Sequence, residues 1–216
     1  MPDIGQHPLI EALTRGCHAL GVHPDAVQLE GLATYAVEAM RWGRRINLTG
    51  ADSAEGFAST HIIDSVSLLP NLPIKPGTAW ADVGSGAGLP GIPLALLAPE
   101  SRWSLVEPRE KRWAFLLHIS HRLGLANVTP VRGRAPEAQI PAGSLDGVVS
   151  RALGRPALSA HVWLKPGGML VLEASNPDGW DDVPDRYPLT PLPPLPLRLP
   201  GVPDCRHLVR FLKVPA

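Results

Sequence analysis

The apolar residues near the start of the chain recur at the spacing of a helix. Over residues 24–45 they stand three or four positions apart, so they fall on one helical face. These positions are Leu29, Leu32, Ala33, Ala36, Ala39 and Met40. Residues 6–22 also favour a helix, and a shorter helix is predicted from His61 to Leu69. We therefore expect residues 1–70 to form an N-terminal helical extension packed on the rest of the protein.

From Thr78 onward, short apolar runs alternate with helical segments. The runs predict strands over residues 78–83, 103–107, 128–132, 146–150, 168–173 and 206–214. The intervening segments predict helices over residues 90–98, 109–123 and 156–164. This alternation is typical of a parallel sheet with helices on both faces. We therefore expect residues 71–216 to form an α/β domain.

Eight prolines fall within residues 184–203. They are Pro184, Pro188, Pro191, Pro193, Pro194, Pro196, Pro200 and Pro203. Proline lacks a backbone N–H and disrupts the interior of a helix. We therefore predict an extended connection here, with neither a helix nor a central strand.

The composition indicates one folded domain with a modest extension. The chain has 216 residues, of which 44% are hydrophobic and 19% charged, unlike a disordered chain. No apolar run approaches membrane-spanning length, and the first residues lack the basic and apolar regions of a signal peptide. Cys17 and Cys205 are far apart and in no metal-ligand spacing. We expect both to be small core residues of a cytoplasmic protein without a metal site.

The most informative segment is residues 79–91. An apolar run ends in Asp82, and glycines follow at every second position, Gly84, Gly86 and Gly88. The residues after them can open a helix. A strand that leads into such a loop and a helix start is how α/β proteins hold nucleotide-like cofactors, because the backbone can approach the ligand closely. The alternative is an ordinary strand–helix turn.

The spacing within this loop narrows the class of cofactor. The dinucleotide fingerprint needs glycine at its first, third and sixth positions, but the sixth position from Gly84 is Leu89. A phosphate-binding loop ends in Gly-Lys-Ser/Thr, but no lysine lies between Lys75 and Lys111. The pattern Asp-x-Gly-x-Gly-x-Gly instead resembles the first motif of Rossmann-like methyltransferases that use S-adenosylmethionine.

Glu107 ends the second predicted strand, about twenty residues after the loop. A carboxylate at this place can accept hydrogen bonds from both ribose hydroxyls of an adenosine. The alternative is a salt bridge to Arg109 or Lys111. Further along the chain, residues 132–136 are expected alongside the adenine and residues 146–152 beside the methyl group.

The residues after the fourth predicted strand argue against two reactions. Ser150-Arg151-Ala152-Leu153 stands where enzymes that methylate exocyclic amines usually carry Asn/Asp-Pro-Pro-aromatic. Methylation of a pyrimidine at carbon-5 needs a cysteine nucleophile, and neither cysteine lies near the predicted pocket. We therefore expect neither reaction.

The formal net charge is zero, but the charges are unevenly distributed. Between Ser101 and Pro156, nine basic residues face four acidic ones. This surplus suits phosphate binding as well as a solvated helix surface. Arg41, Arg44 and Arg45 gather at the end of the second predicted helix, where they either complement the helix dipole or contact RNA.

Six segments together carry a family resemblance. They are Asn47-Leu48-Thr49, His61-Ile62-Ile63-Asp64-Ser65, Asp82 to Pro93, Glu107 with Lys111-Arg112, Asp146 to Ala152, and Arg206-His207-Leu208-Val209. They resemble the ribosomal RNA small subunit methyltransferase G family, also called glucose-inhibited division protein B. The resemblance implies a Rossmann-like class I methyltransferase fold and S-adenosylmethionine as cofactor. It also implies formation of 7-methylguanosine at guanine 527 of the 16S rRNA in the small ribosomal subunit, and we take a monomer as the default state.

The motifs and the resemblance together imply a set of site residues. The expected cofactor-binding residues are Gly84, Gly86, Leu89, Glu107, Ala135, Pro136 and Arg151. The expected RNA-binding residues are Asn47, Arg134 and Arg151. No catalytic acid or base is expected, because guanine N7 carries a lone pair and no proton.

The chain departs from the family pattern at two places. Pro136 stands where the family commonly has a glutamate, and Glu137 follows one position later, so the adenine contact would have to come from the backbone or from shape. After the fifth strand the family often has a lysine, but this chain reads Glu173-Ala174-Ser175-Asn176, so any role of that lysine is absent or transferred. Two alternatives stay open: a small-molecule methyltransferase, and a non-catalytic RNA-binding module with a nucleotide-binding fold.

Overall fold

The computed structural model describes residues 7–151, 153–199 and 206–215. Its strands are β1 (Ala79–Val83), β2 (Arg102–Glu107), β3 (Val128–Arg132), β4 (Leu145–Arg151), β5 (Leu164–Ala174), β6 (Leu189–Leu197) and β7 (Arg206–Lys213). They form one sheet in the order β3-β2-β1-β4-β5-β7-β6. Neighbours among β1 to β5 are parallel, and β7 is antiparallel to both β5 and β6. The carboxyl ends of β1, β2 and β4 therefore share one edge, where open α/β sheets bind ligands.

Short and long helices connect the strands. The α-helices are α1 (His7–Ala19), α2 (Ala26–Gly43), α3 (Ala54–Phe57), α4 (Ile63–Val66), α5 (Gly91–Leu97), α6 (Glu110–Arg122) and α7 (Val183–Arg186). A π-helical turn (Ala58–Ile62) joins α3 to α4, and 3-10 helices cover Leu69–Asn71 and Arg155–Trp163. In the described part of the chain, none of the helices combines the length and apolar character needed to cross a membrane.

The two faces of the sheet bury different elements, because side chains alternate along each strand. Trp80 and Trp103 stack with ring centroids 5.9 Å apart in a core shared with α1, α2, α5 and α6. Gly147 pairs with Trp80 across β1 and β4, and a Cβ on Gly147 would lie 2.2 Å from that ring. On the opposite face, Ala81 packs in a core with Trp163 of the second 3-10 helix. The predicted α/β fold with helices on both faces is confirmed.

The N-terminal helices pack against the sheet. α2 begins at a capping box, in which Asp25 and Gln28 bond to each other's backbone N–H. The Gln28 amide also donates to the carbonyl of Leu96 near the end of α5, at 3.2 Å. The boundary near residue 70 stays a prediction, because these contacts join the extension and the sheet into a common core.

Cys17 is fully buried in α1, and burial raises the pKa of its thiol to about 11. This is the environment expected of a small core residue. Cys205, Pro200, Pro203 and Ala152 lie outside the described residues.

The prediction of an extended connection over residues 184–203 is wrong in part. Residues Val183–Arg186 form a helical turn, with Pro184 in the first turn, where a backbone N–H is not needed. Residues Leu189–Leu197 form β6, which tolerates prolines because it is an edge strand. Pro193-Pro194 falls where the register with β7 shifts, between Leu192 and Leu195.

Three other element predictions differ in detail. The segment predicted as a helix over 156–164 is a 3-10 helix that begins with Arg155-Pro156. β5 begins at Leu164 instead of residue 168, and the register between β4 and β5 shifts after Leu145 to accommodate the extra residues. The helical segment predicted from His61 begins earlier, because the Ser53 hydroxyl accepts a bond from Gly56 N–H and caps α3.

Candidate functional site

The glycine loop folds back over the end of β2. Gly84 and Ser85 both donate backbone N–H bonds to the carbonyl of Val106, at 2.8 and 3.1 Å. The Ser85 hydroxyl donates to the carbonyl of Asp82 at 2.9 Å. Gly84 has φ +78°, a conformation that residues with a Cβ rarely adopt. These bonds hold the loop backbone at the carboxyl edge of the sheet, beside the end of β2.

Glu107 is held by backbone N–H groups. One carboxylate oxygen accepts a bond from Gly86 N–H at 2.9 Å, and the other accepts one from Arg109 N–H at 2.8 Å. Within the described residues, Glu107 makes no salt bridge to a side chain of Arg109 or Lys111. A carboxylate offers about four acceptor positions, so capacity remains on both oxygens. Glu107 therefore both supports the glycine loop and can accept bonds from a pair of hydroxyls.

A cavity of about 290 Å³ lies at the carboxyl ends of β1 and β2. Four of the residues expected to contact cofactor or RNA line it, namely Gly84, Glu107, Arg134 and Ala135. Its other lining residues are Val83, Val106, Pro108, Arg109, Arg112, Gly133, Leu153 and Pro156. The volume is near the lower end for small-molecule sites, and the wall combines apolar side chains with a carboxylate and three arginines.

Leu153 covers the glycine loop, which the sequence did not indicate. A Cβ placed on Gly84 would stand 2.4 Å from Leu153 Cδ1. The Leu153 side chain is nevertheless 40% exposed, and it forms part of the cavity wall. In the sequence, only its position just after β4 places Leu153 near the site. Its contact with Gly84 depends on how the glycine loop and the segment after β4 meet in the fold.

Four residues expected to bind the cofactor are not among those that line this cavity, namely Gly86, Leu89, Pro136 and Arg151, of which Arg151 is described below. Gly86 acts through its N–H, which holds Glu107. Leu89 is 8% exposed, packs in the core and donates its N–H to the carbonyl of Ser85 at 3.0 Å. Pro136 adjoins Ala135 in the chain. Their direct contact with a cofactor stays a prediction.

Asp82 lies beneath the loop and is fully buried. Its Oδ2 accepts a bond from Gly91 N–H at 3.0 Å, whereas its Oδ1 has no hydrogen-bond partner within the described residues. Burial raises the pKa of this carboxyl group to about 7, although the bond from Gly91 and the charge of Arg151 lower it. A buried acceptor without a donor at this edge is consistent with a site that receives a polar or cationic ligand.

We expect Asp82→Asn to weaken the pH dependence of stability between about pH 4 and pH 7. Because the pKa is raised on folding, the folded protein binds this proton more tightly than the unfolded chain, and stability falls as the pH rises through the window. The free energy of unfolding of the variant, relative to that of the wild type, should therefore be roughly 3 kcal/mol higher at pH 8 than at pH 5. Urea unfolding at both pH values measures the gain, with the exposed Asp52→Asn as control. An equal difference from wild type at both pH values would contradict this interpretation.

Arg151, at the end of β4, lies in a second, charged cluster. Its guanidinium donates to Asp64 of α4 at 2.9 Å. Arg206 of β7 donates to the same carboxylate oxygen and also to Glu173 of β5. The cluster also includes His61, whose Nδ1 lies 3.5 Å from Arg151. Two carboxylates therefore face two guanidinium groups across four elements of the fold.

The charges of this cluster compensate one another. Burial and the charge of Asp64 raise the pKa of Glu173, while burial and the charge of Arg151 lower the pKa of His61, which favours the neutral imidazole. Arg151 is bound to Asp64 and does not line the cavity at Glu107. Its expected contacts with cofactor and RNA stay predictions.

Two N-terminal residues reach the edge of the site. The carbonyl of Asn47 accepts a bond from Arg112, which lines the cavity, at 3.0 Å. The Tyr35 hydroxyl of α2 donates to the carbonyl of Ala87 in the glycine loop at 2.7 Å, and burial raises the pKa of Tyr35 well above its usual value. The sequence placed Tyr35 on a helix but contained no signal for this contact.

Relatives of this chain are found by sequence. The family described as rRNA small subunit methyltransferase G matches residues 28–175. A protein named ribosomal RNA small subunit methyltransferase G from Pseudomonas paraeruginosa is 39% identical over 142 residues, which span 66% of this chain and 65% of that relative. A protein of the same name from Aromatoleum aromaticum is 36% identical over 207 residues, covering 91% of this chain and 95% of the relative.

Solved structures show the same fold at low sequence identity. A SAM-dependent methyltransferase from Aquifex aeolicus has a TM-score of 0.56 at 16% identity, covering 70% of this chain and 90% of that one. A geranyl diphosphate methyltransferase has a TM-score of 0.58 at 14% identity, and the match covers 88% of this chain and 99% of that one. These likenesses concern the fold alone and confirm its Rossmann-like class. The sequence matches confirm the resemblance carried by the motifs, and the chain belongs to the rRNA small subunit methyltransferase G family.

Proposed function

We propose that this chain, an rRNA methyltransferase by family, transfers a methyl group from S-adenosylmethionine to N7 of guanine 527 in 16S rRNA. The observation that carries the proposal is the cavity in which the glycine loop and Glu107 face arginines of α6 and of the segment after β3. The proposal also takes the enzyme to be a cytoplasmic monomer that acts on the small ribosomal subunit.

The residues present fit an adenosine-containing cofactor. Glu107 keeps acceptor capacity on both oxygens for a pair of ribose hydroxyls. Gly84 presents backbone without a Cβ at the cavity wall, and Ala135 contributes a small side chain to the same wall. The buried, unpaired Oδ1 of Asp82 lies beneath the loop. When bound, S-adenosylmethionine supplies an electrophilic methyl group on a sulfonium.

Methylation at guanine N7 requires a correctly oriented base and no proton transfer. The N7 lone pair lies in the plane of the ring and carries no proton, so no general base has to remove one. The residues around the cavity therefore act by positioning the base and by excluding water. Leu153 and Pro156 supply the apolar part of that wall.

Arginines at the cavity provide the RNA-facing side. Arg134 and Arg112 both line it, and Arg112 is tied to the carbonyl of Asn47. The N7 edge of guanine faces the deep, narrow major groove of an A-form helix, which side chains cannot read. The target guanosine should therefore lie in a loop or be turned out of its stack.

The proposal is tested by methyl transfer from labelled S-adenosylmethionine. Small ribosomal subunits, naked 16S rRNA and tRNA are offered in parallel, and the labelled nucleoside and its position are then identified. We expect 7-methylguanosine at position 527 and no product with tRNA. Another labelled nucleoside, another position, or transfer to small molecules alone would contradict the proposal.

We expect Arg134→Ala to lower methylation of ribosomal RNA about tenfold or more, because it removes a cationic contact at the mouth of the cavity. Arg151→Ala should also reduce it, through the loss of the expected contact and of the pair with Asp64. Initial rates over a range of substrate concentrations measure the effect, with the exposed Arg122→Ala as control. If neither variant slows transfer, these two residues are not the RNA-facing side of the site.

A further inference from the structure

Two more cavities continue from the proposed cofactor site along α2 and α6. The nearer has a volume of about 360 Å³ and shares Arg109 and Arg112 with the site. The farther has a volume of about 530 Å³, lies against α2, and shares Arg45 with the nearer one. Through these shared residues, the two cavities and the cofactor site form a row of neighbouring depressions between Glu107 and His118.

This row of depressions carries an excess of positive charge. Its basic residues are Arg41, Arg44, Arg45, Arg109, Lys111 and Arg112, and we refer to these six as the basic strip. Among the described residues, two carboxylates line the same cavities, Glu38 and Glu110, which leaves a surplus of four positive charges. Asp52 adjoins Arg41 and Arg44 in a neighbouring cavity.

Within the part of the chain that the structure describes, most of these positive charges have no carboxylate partner. Glu38 is buried and already bonded to Arg41 at 3.0 Å and to His118 at 2.8 Å. Glu110 pairs with Arg132 at 3.0 Å. Among the residues that the structure describes, Arg44 and Arg45 form no ion pair, and both are exposed. Their charge is available to an anionic partner.

The helix dipoles account for only part of the basic strip. Arg41 lies in the last turn of α2, and Arg44 and Arg45 follow at its C-terminal end, where cations are favourable. Lys111 and Arg112 lie in the first turn of α6, where the dipole disfavours cations. Placing positive charge at a helix start costs local stability, so we attribute it to a partner and not to the helix.

An aromatic side chain lies within the same row of depressions. Trp42 is half-buried between Phe115 and His118, with ring centroids 5.6 and 5.1 Å away, and lines the farther cavity. Basic grooves that include an aromatic platform are characteristic of proteins that bind single-stranded nucleic acid. From Arg109 to His118 the helical rise is roughly 14 Å, a distance that a few nucleotides can span.

We infer that the basic strip binds the phosphates of the single-stranded rRNA segment next to the target guanosine. This inference rests on the proposed function and adds to it the path of the RNA. The phosphates contact Arg44 and Arg45 at the far end, and the strand runs over the start of α6 to the cavity at Glu107.

The test is the double variant Arg44→Ala/Arg45→Ala. We expect its KM for small subunits or 16S rRNA to rise about tenfold, with unchanged calorimetric affinity for S-adenosylmethionine. The slope of log affinity against log salt for a fluorescent single-stranded RNA should become shallower by about 1.4, the value for two lost phosphate contacts. The matched control is Arg102→Ala/Arg186→Ala, which removes two exposed charges outside the basic strip, one at the start of β2 and one in α7.

The outcomes separate this inference from the proposed function. If the wild type methylates guanine N7 and the double variant matches the control in KM and salt slope, the basic strip does not bind the RNA. If the wild type transfers no methyl group to rRNA, the proposed function fails. In that case the salt slope of binding to the fluorescent single-stranded RNA, compared between the double variant and the control, decides whether the basic strip binds RNA. Equal binding of duplex and single-stranded RNA by the wild type would also overturn it.

Discussion

Gly84→Val should lower the affinity for S-adenosylmethionine at least about a hundredfold, or roughly 2.7 kcal/mol, and leave the protein folded. Gly84 has φ +78°, and a Cβ there would stand 2.4 Å from Leu153 Cδ1. Because Leu153 is a flexible, partly exposed side chain, it can move aside, but the new side chain would then occupy the wall of the cavity. Isothermal titration calorimetry measures the affinity, and circular dichroism checks the fold.

The matched control for this variant is Gly21→Val. Gly21 has φ +72°, yet nothing lies within 4 Å of a Cβ placed on it. Both substitutions therefore impose similar backbone strain, of the order of 1–2 kcal/mol, but only one of them reaches the cavity. Unchanged affinity in Gly84→Val would show that the glycine loop does not hold the cofactor.

The largest expected effect on stability comes from Asp64→Ala. This carboxylate is 1% exposed and receives bonds from both Arg151 and Arg206. Its removal leaves a mostly buried guanidinium without its carboxylate, a change that typically costs about 3–5 kcal/mol. We expect a loss of about 3 kcal/mol, because Arg206 is more exposed and keeps Glu173 as a partner.

Urea unfolding measures this loss, and the exposed Asp52→Ala serves as control. Asp64→Asn should fall between the wild type and Asp64→Ala, since the amide oxygen can still accept one bond from a guanidinium. A destabilisation below about 0.5 kcal/mol, the range of ordinary surface substitutions, would mean that the cluster contributes little to folding.

Periodicity and turn residues predict the parallel part of the sheet well. The strand around Ala81 and the one around Val148 are short, apolar and followed by glycine or polar residues, so their positions follow from local sequence. The edge strand β6 was missed because its prolines argue against the backbone hydrogen bonds of a strand. It becomes a strand because it pairs with β7. Local rules identify what a segment tends to form and not the neighbour that it acquires.

The same limit applies to the candidate site. The loop at Gly84 and the carboxylate of Glu107 belong to consecutive strands, and their proximity at one edge follows from the parallel sheet. Tyr35 lies 52 residues before its partner Ala87, and Arg151 lies 87 residues after Asp64. Such pairs depend on how the N-terminal helices dock on the sheet, and one sequence contains no pattern for them.

The order of the strands leaves β3 and β6 at the two borders of the sheet. β6 has prolines at positions 191, 193, 194 and 196, and β3 has Pro130 at its centre. Each proline removes one backbone N–H from a border that could otherwise recruit a strand from another molecule. The described sheet is therefore protected on both sides against growth by strand addition, which favours solubility when many copies of the protein are present.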